Sequence, residues 1–112
     1  MSVHLTLHRP FVADHFHDRP GFHEERHGHN WDLEATVTLE HLEGESDLAE
    51  ALDAWIQLVD YTLLNDQPSL TGCNPTAEAL ARWAFEHLES RGLVLDQVKV
   101  REKANYWAAC RR

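Results

Sequence analysis

Apolar and polar side chains alternate along "HNWDLEATVTLEH". Trp31, Leu33, Ala35, Val37 and Leu39 interleave with Asn30, Asp32, Glu34, Thr36, Thr38 and Glu40. This period of two predicts a strand with one buried face and one wet face. Upstream, Val3, Leu5, Leu7, Phe11 and Ala13 share odd parity. They predict an earlier strand, bent at Pro10, with a polar loop around "HDRPGFHEER" joining the two. The period then changes. Leu48, Leu52, Trp55, Ile56 and Val59 form a helical stripe with Ser46 as its N-cap. A second stripe, Leu80, Ala81, Ala84 and Leu88, belongs to "NPTAEALARWAFEHLESRG". There Asn74 suits the cap, Pro75 the first turn and Gly92 the end. The tail "DQVKVREKANYWAACRR" predicts two short strands around Lys103–Asn105. The order ββααββ implies an α+β fold: a four-stranded antiparallel sheet with both helices on one face.

Composition narrows the picture. The 112 residues fit one domain, 1–112, and 43% of them are apolar, enough for a single modest core. No repeat, linker or low-complexity tract interrupts them. The formal net charge of −9 disfavours a nucleic-acid backbone as partner. Nine histidines would offset part of that charge in mild acid. No apolar run is long enough to cross a bilayer, and "MSVHLTLHRP" does not read as a signal peptide. Cys73 and Cys110 form no disulfide framework. The expectation is a cytoplasmic protein with no membrane partner.

Parity then singles out histidines. His27 and His29 in "ERHGHNW" are odd, like Trp31 to Leu39. His15 and His17 continue the parity of Phe11 and Ala13. Two strands thus end by pointing imidazoles at one region. Converging neutral imidazoles suit Zn²⁺, and three such ligands leave a fourth position open. A lone His-x-His in a polar loop is usually just solvated. The third histidine on a separate strand lifts this pair above that. His17, already near the loop, is ambiguous. His4, His8, His41 and His87 read as surface or packing residues. In "QVKVRE", Glu102 falls on the side of Val98 and Val100. Either the strand frays before it, or its carboxylate accepts paired N–H bonds from a guanidine-like ligand edge.

The blocks "FVADH", "HGHN", "VDYTLLND", "NPTAEALARW" and "VKVRE", in that order, resemble the 6-pyruvoyl-tetrahydropterin synthase / 6-carboxy-tetrahydropterin synthase family over nearly the whole chain. The resemblance implies a T-fold, in which sheets of a trimer join into a barrel and trimers usually pair into hexamers. It implies a zinc site at His15, His27 and His29. It also implies a pterin-anchoring glutamate at Glu102, and a substrate-side block at Thr76 with Glu78. The implied substrate is 7,8-dihydroneopterin triphosphate. Zinc, as a Lewis acid, would bind the side-chain oxygens while a base moves protons; then triphosphate leaves or the side chain is cut. The 6-carboxy branch feeds queuosine and other deazapurines.

The departures are as specific. The family's cysteine before "HGH" is absent from "GFHEERHGH", and His23 takes its place, beside Glu24 and Glu25. Members with a glutamate instead of that cysteine are associated with cleavage to 6-hydroxymethyl-dihydropterin. The family's "LDH" reads Asp60–Tyr61, so the histidine is missing as well. The metal and pterin positions are kept and the proton relay is not. His23 is the expected base, with Glu25 next, and Asp60 and Tyr61 assist. Three functions stay open: a zinc-dependent pterin lyase with a rebuilt relay, a non-catalytic zinc- and pterin-binding paralogue, and a structural metal protein closed by a fourth ligand such as His17 or His23.

Overall fold

The computed structural model describes residues 2–39 and 44–112; His41 lies outside them. Strand β1 (Val3–Arg19) and strand β2 (Phe22–Leu39) form one long antiparallel hairpin. The expected polar loop is therefore strand, and only Pro20 and Gly21 turn. Proline presets φ near −65° at the first turn position. Gly21 supplies φ 80° at the second, the combination a type II turn requires.

The β1–β2 register passes Pro10 without a shift, pairing it with Asp32. The reason lies in strand direction. Val12 N–H donates to the Asp60 carboxylate at 2.9 Å, and Val12 C=O accepts from Tyr61 N–H at 2.6 Å. Even-numbered residues of β1 thus turn their backbone groups away from β2. At Pro10 the missing N–H faces an open edge, where the ladder loses nothing.

Helix α1 (Gly44–Val59) places Ser46 within its first turn rather than just before it. Strand β3 (Thr62–Leu63) then pairs in parallel with Ala13 and Asp14. Two short 3-10 turns follow, at Leu64–Asp66 and Pro68–Leu70. Helix α2 (Ala77–Ser90) is capped by Thr76, whose hydroxyl accepts from Ala79 N–H at 3.1 Å. Asn74 instead accepts from Asp18 N–H at 3.1 Å. Gly92, with φ 90°, follows the helix end as expected. Strands β4 (Leu95–Lys103) and β5 (Tyr106–Arg111) close the chain as a hairpin.

The sheet order is β3-β1-β2-β4-β5. It is a mixed five-stranded sheet, not the expected four antiparallel strands, because β3 adds a parallel edge. One face carries Phe11, Ala13, Trp31, Leu33, Ala35, Val98 and Val100, all buried. Leu48, Leu52, Trp55 and Val59 of α1 and Leu80, Ala81, Ala84 and Leu88 of α2 join them in one core. Phe11 stacks on Trp31 with centroids 5.8 Å apart and meets the edge of Trp55 at 5.5 Å.

Candidate metal and substrate site

The inward face of the β1–β2 hairpin continues beyond the core as imidazole. His15 follows Phe11 and Ala13; His29 and His27 precede Trp31. One ligand atom from each of His15, His27 and His29 lies within 4.8 Å of the others. Trp31 forms the floor: its indole N–H is tied to Ala13 C=O at 3.1 Å, and its ring meets His15 and His29 edge-on.

Backbone carbonyls set the tautomers. His15 Nδ1 donates to Pro75 C=O at 2.7 Å, and His27 Nδ1 donates to Glu25 C=O at 2.8 Å. In the neutral rings this leaves both Nε2 atoms as bare lone pairs, 3.0 Å apart. Burial pushes His15 below its ordinary value, outweighing the opposing Pro75 bond and the Glu102 charge. Burial likewise pushes His29 down. Neutral rings facing each other through acceptors need a cation between them. The donor set therefore fits a metal ion, and imidazoles held by carbonyls at the far nitrogen are the usual way of presenting one.

Two carboxylates touch the triad, and a third faces His17 beside it. Glu102 follows Val98 and Val100 on the inward side of β4, where pairing with β5 shifts between Arg101 and Lys103. Its Oε1 lies 3.3 Å from His15 Nε2 and 3.9 Å from His29 Nε2. Glu24 lies 3.4 Å from His17 Nδ1 and 3.6 Å from His27 Nε2. Glu78, at the start of α2, accepts from the Tyr106 hydroxyl at 2.6 Å. That bond, first, holds Glu78 below its ordinary value; Thr76 and the charge of His17 add to it. Tyr106 is raised by the same bond and also feels Glu102. Thr76 and Glu78 thus stand with Tyr106 on the helix side of the cluster.

The other expected residues stand elsewhere. His23 lies on β2, not on a loop; its ring is two-thirds exposed and 3.8 Å from Asp18. Glu25 is exposed, and its carbonyl rather than its carboxyl serves the triad. Asp60 accepts from Val12 N–H at the open edge of β1. Tyr61, in the left-handed region at φ 58°, is 82% exposed.

A β-bulge decides between the neighbouring acids. His15 pairs with His27 but His17 pairs with Glu24, so Glu25 and Arg26 together face Phe16. The extra residue reverses parity, and Glu24 takes the inward place opposite His17 that Glu25 would hold in a regular ladder. His17 Nε2 is buried there without a hydrogen-bond partner. The sequence carries no local signal for the Glu24–His17 pairing, nor for Tyr106, which reaches Glu78 only because β5 folds back after Ala104–Asn105.

Comparison with known proteins bears on family and fold. Residues 4–112 match the family model described as 6-pyruvoyl tetrahydropterin synthase. A protein of Archaeoglobus fulgidus, provisionally named 6-carboxy-5,6,7,8-tetrahydropterin synthase, is 31% identical over 91 residues, covering 77% of this chain and 76% of that protein. The structure of Caenorhabditis elegans 6-pyruvoyl tetrahydropterin synthase superposes with a TM-score of 0.81 at 16% identity, over 100% of this chain and 96% of that one. A Plasmodium vivax 6-pyruvoyltetrahydropterin synthase, bearing cysteine in place of a catalytic glutamate, superposes at 0.73 and 14% identity, over 100% and 98%. At such identities the superpositions speak for the fold, and the family match over nearly the whole chain settles kinship: the chain belongs to the 6-pyruvoyl tetrahydropterin synthase family.

Proposed function

We propose that the protein is a zinc-dependent pterin lyase acting on 7,8-dihydroneopterin triphosphate, with a proton relay rebuilt from Glu24 and His17. The observation that carries this is the convergence of His15, His27 and His29, with the far nitrogens of His15 and His27 tied to carbonyls. Zinc bound there would polarise the side-chain oxygens of the substrate and acidify the adjacent C–H.

The chain's own groups do the rest. Glu102 is the inward carboxylate that accepts two N–H bonds from the amino-pyrimidinone edge of the pterin. Thr76 and Glu78 bound the same space from the start of α2. Glu24, 3.6 Å from a ligand imidazole, is the group that takes the proton. His17 Nδ1 holds the Glu24 carboxylate in place at 3.4 Å. His23 and Glu25, though nearest in sequence to the missing cysteine, are turned to solvent. A glutamate serves as a catalytic residue in the Plasmodium vivax relative, which supports a carboxylate in this role. Asp60 and Tyr61 reach outward from β1, so any part they take is in the site of a second copy.

That outward placement favours a second reading, a zinc- and pterin-binding paralogue without turnover. Incubating the zinc-loaded protein with 7,8-dihydroneopterin triphosphate and identifying products by mass separates the two. A 6-carboxy, 6-pyruvoyl or 6-hydroxymethyl pterin supports the lyase and names the branch. Pterin binding without product leaves the paralogue. Zinc binding with neither leaves a structural metal protein.

A further inference from the structure

Glu102 stands closer to the metal ligands than a purely pterin-binding residue needs to. Four ligands around Zn²⁺, with bonds of about 2.0–2.1 Å to nitrogen or oxygen in a tetrahedron, are separated by roughly 3.3 Å. The measured separations bracket that edge. His15 Nε2 to His27 Nε2 is 3.0 Å, His15 Nε2 to Glu102 Oε1 is 3.3 Å, and His29 Nε2 to Glu102 Oε1 is 3.9 Å. The carboxylate thus stands at ligand-edge distance from two of the three imidazoles, and a rotation of its side chain would bring it to the corner they leave open. Its chemistry matches the position. Pro75 C=O takes the Nδ1 proton of His15, so a neutral His15 offers Glu102 no donor. Oxygen and nitrogen lone pairs then face one another at contact distance, an arrangement that a shared metal cation relieves. The side chain is only 12% exposed, which gives water little room to stand in. Glu24 is a poorer candidate for this corner, because it is more exposed and already bound to His17.

We infer that Glu102 is the fourth ligand of the metal in the pterin-free protein, and that pterin binding draws it away and so opens the coordination position. This rests on the metal-site reading above and deepens it. The exchange is a ligand swap. The metal–carboxylate contact breaks as Glu102 turns to the two N–H donors of the pterin, and the substrate's side-chain oxygens take the released corner. The device would keep the metal closed to stray anions until a molecule with the right ring edge arrives.

The test uses Co²⁺ in place of Zn²⁺, because its visible spectrum reports coordination without turnover. Azide probes for an open position, and biopterin serves as the unreactive pterin. Expected are a wild-type spectrum that azide leaves unchanged, azide-sensitive spectra in Glu102→Gln and Glu102→Ala, and wild type that becomes azide-sensitive once biopterin is added. Zn²⁺ affinity, measured by chelator competition, should fall by about tenfold or more in both variants. Circular dichroism confirms that each variant is folded. Azide sensitivity in pterin-free wild type, together with unchanged Zn²⁺ affinity in the variants, overturns the ligation. A wild-type spectrum that stays closed with biopterin bound overturns the exchange. His27→Ala is the control for the underlying reading: if it binds Co²⁺ like wild type, the metal site itself is misplaced, whatever Glu102 does.

Discussion

Gly28 separates two ligand histidines for a steric reason. A Cβ there would lie 2.7 Å from Asp14 Oδ1, and Asp14 is held across the ladder by Arg26 at 2.8 Å. Any side chain at this position requires the Asp14 carboxylate to shift. Glu24 lies within 3.6 Å of a ligand imidazole and 3.4 Å of His17 Nδ1. Glu24→Gln is therefore expected to lower turnover of 7,8-dihydroneopterin triphosphate by about a hundredfold or more, with zinc content retained. His23→Ala should leave turnover unchanged. Mass-resolved product assays on zinc-loaded proteins check both, and the opposite pattern would return the role to His23. The buried histidines also predict a pH response. His15, His29 and His87 are all held below the ordinary value of 6.5, each mainly by burial. The unfolded chain therefore takes up protons first as pH falls. The stabilisation is complete above that value and is lost on acidification through it toward the lowered folded values. Thermal unfolding of the metal-free protein from about pH 8 to about pH 5 should show the melting point falling along this course. The slope should be shallower in His15→Gln, and a flat profile in wild type would contradict the account.

Element by element, local chemistry decides which side chains reach the site. The bulge at Glu25–Arg26 reverses the parity of β2 and delivers Glu24. The N-terminus of α2 delivers more: Pro75 orients His15 through its carbonyl, and Thr76 caps the helix. Losing the cap oxygen in Thr76→Ala is expected to cost about 1 kcal/mol of folding stability, read as a lower urea midpoint at unchanged slope. Thr76→Ser should recover most of it. Asn74→Ala is a different kind of change, because Asn74 serves Asp18 N–H in β1. A larger loss there than in Thr76→Ala would show that anchoring the hairpin matters more than capping.

The molecule as a whole leaves two sheet edges to cover. β5 has a neighbour on one side only, and β1 has β3 against just Ala13 and Asp14. Such edges offer unpaired backbone groups to another chain, and Trp107 on β5 is 57% exposed. A homo-oligomer, trimer or hexamer, is expected. Light scattering at micromolar concentration should report a multiple of the 12.9 kDa chain mass. A monomer would remove the oligomer and, with it, any role for Asp60 and Tyr61 in a neighbouring site.

Sequence alone determined the features written in simple periods. Alternation along Trp31–Leu39 and the stripes at Leu48–Val59 and Leu80–Leu88 define a two-helix, sheet-backed core, because burial sorts side chains at fixed spacing. The same parity placed His15, His27 and His29 together, since a strand carries its parity to its end; for Glu102 it left fraying and an inward carboxylate both open, and the run of β4 on to Lys103 decided between them. What tertiary structure decided lies where that spacing breaks or where distant backbone competes. The bulge shifts parity without any mark in the local pattern, so Glu24, and neither Glu25 nor His23, faces the triad. Two residues of β3 pair only because α1 returns the chain to the β1 edge, and no two-residue pattern announces a strand. Asn74 suits the cap by its place in the sequence, but the hairpin amide of Asp18 claims its side chain, and Thr76 caps the helix instead.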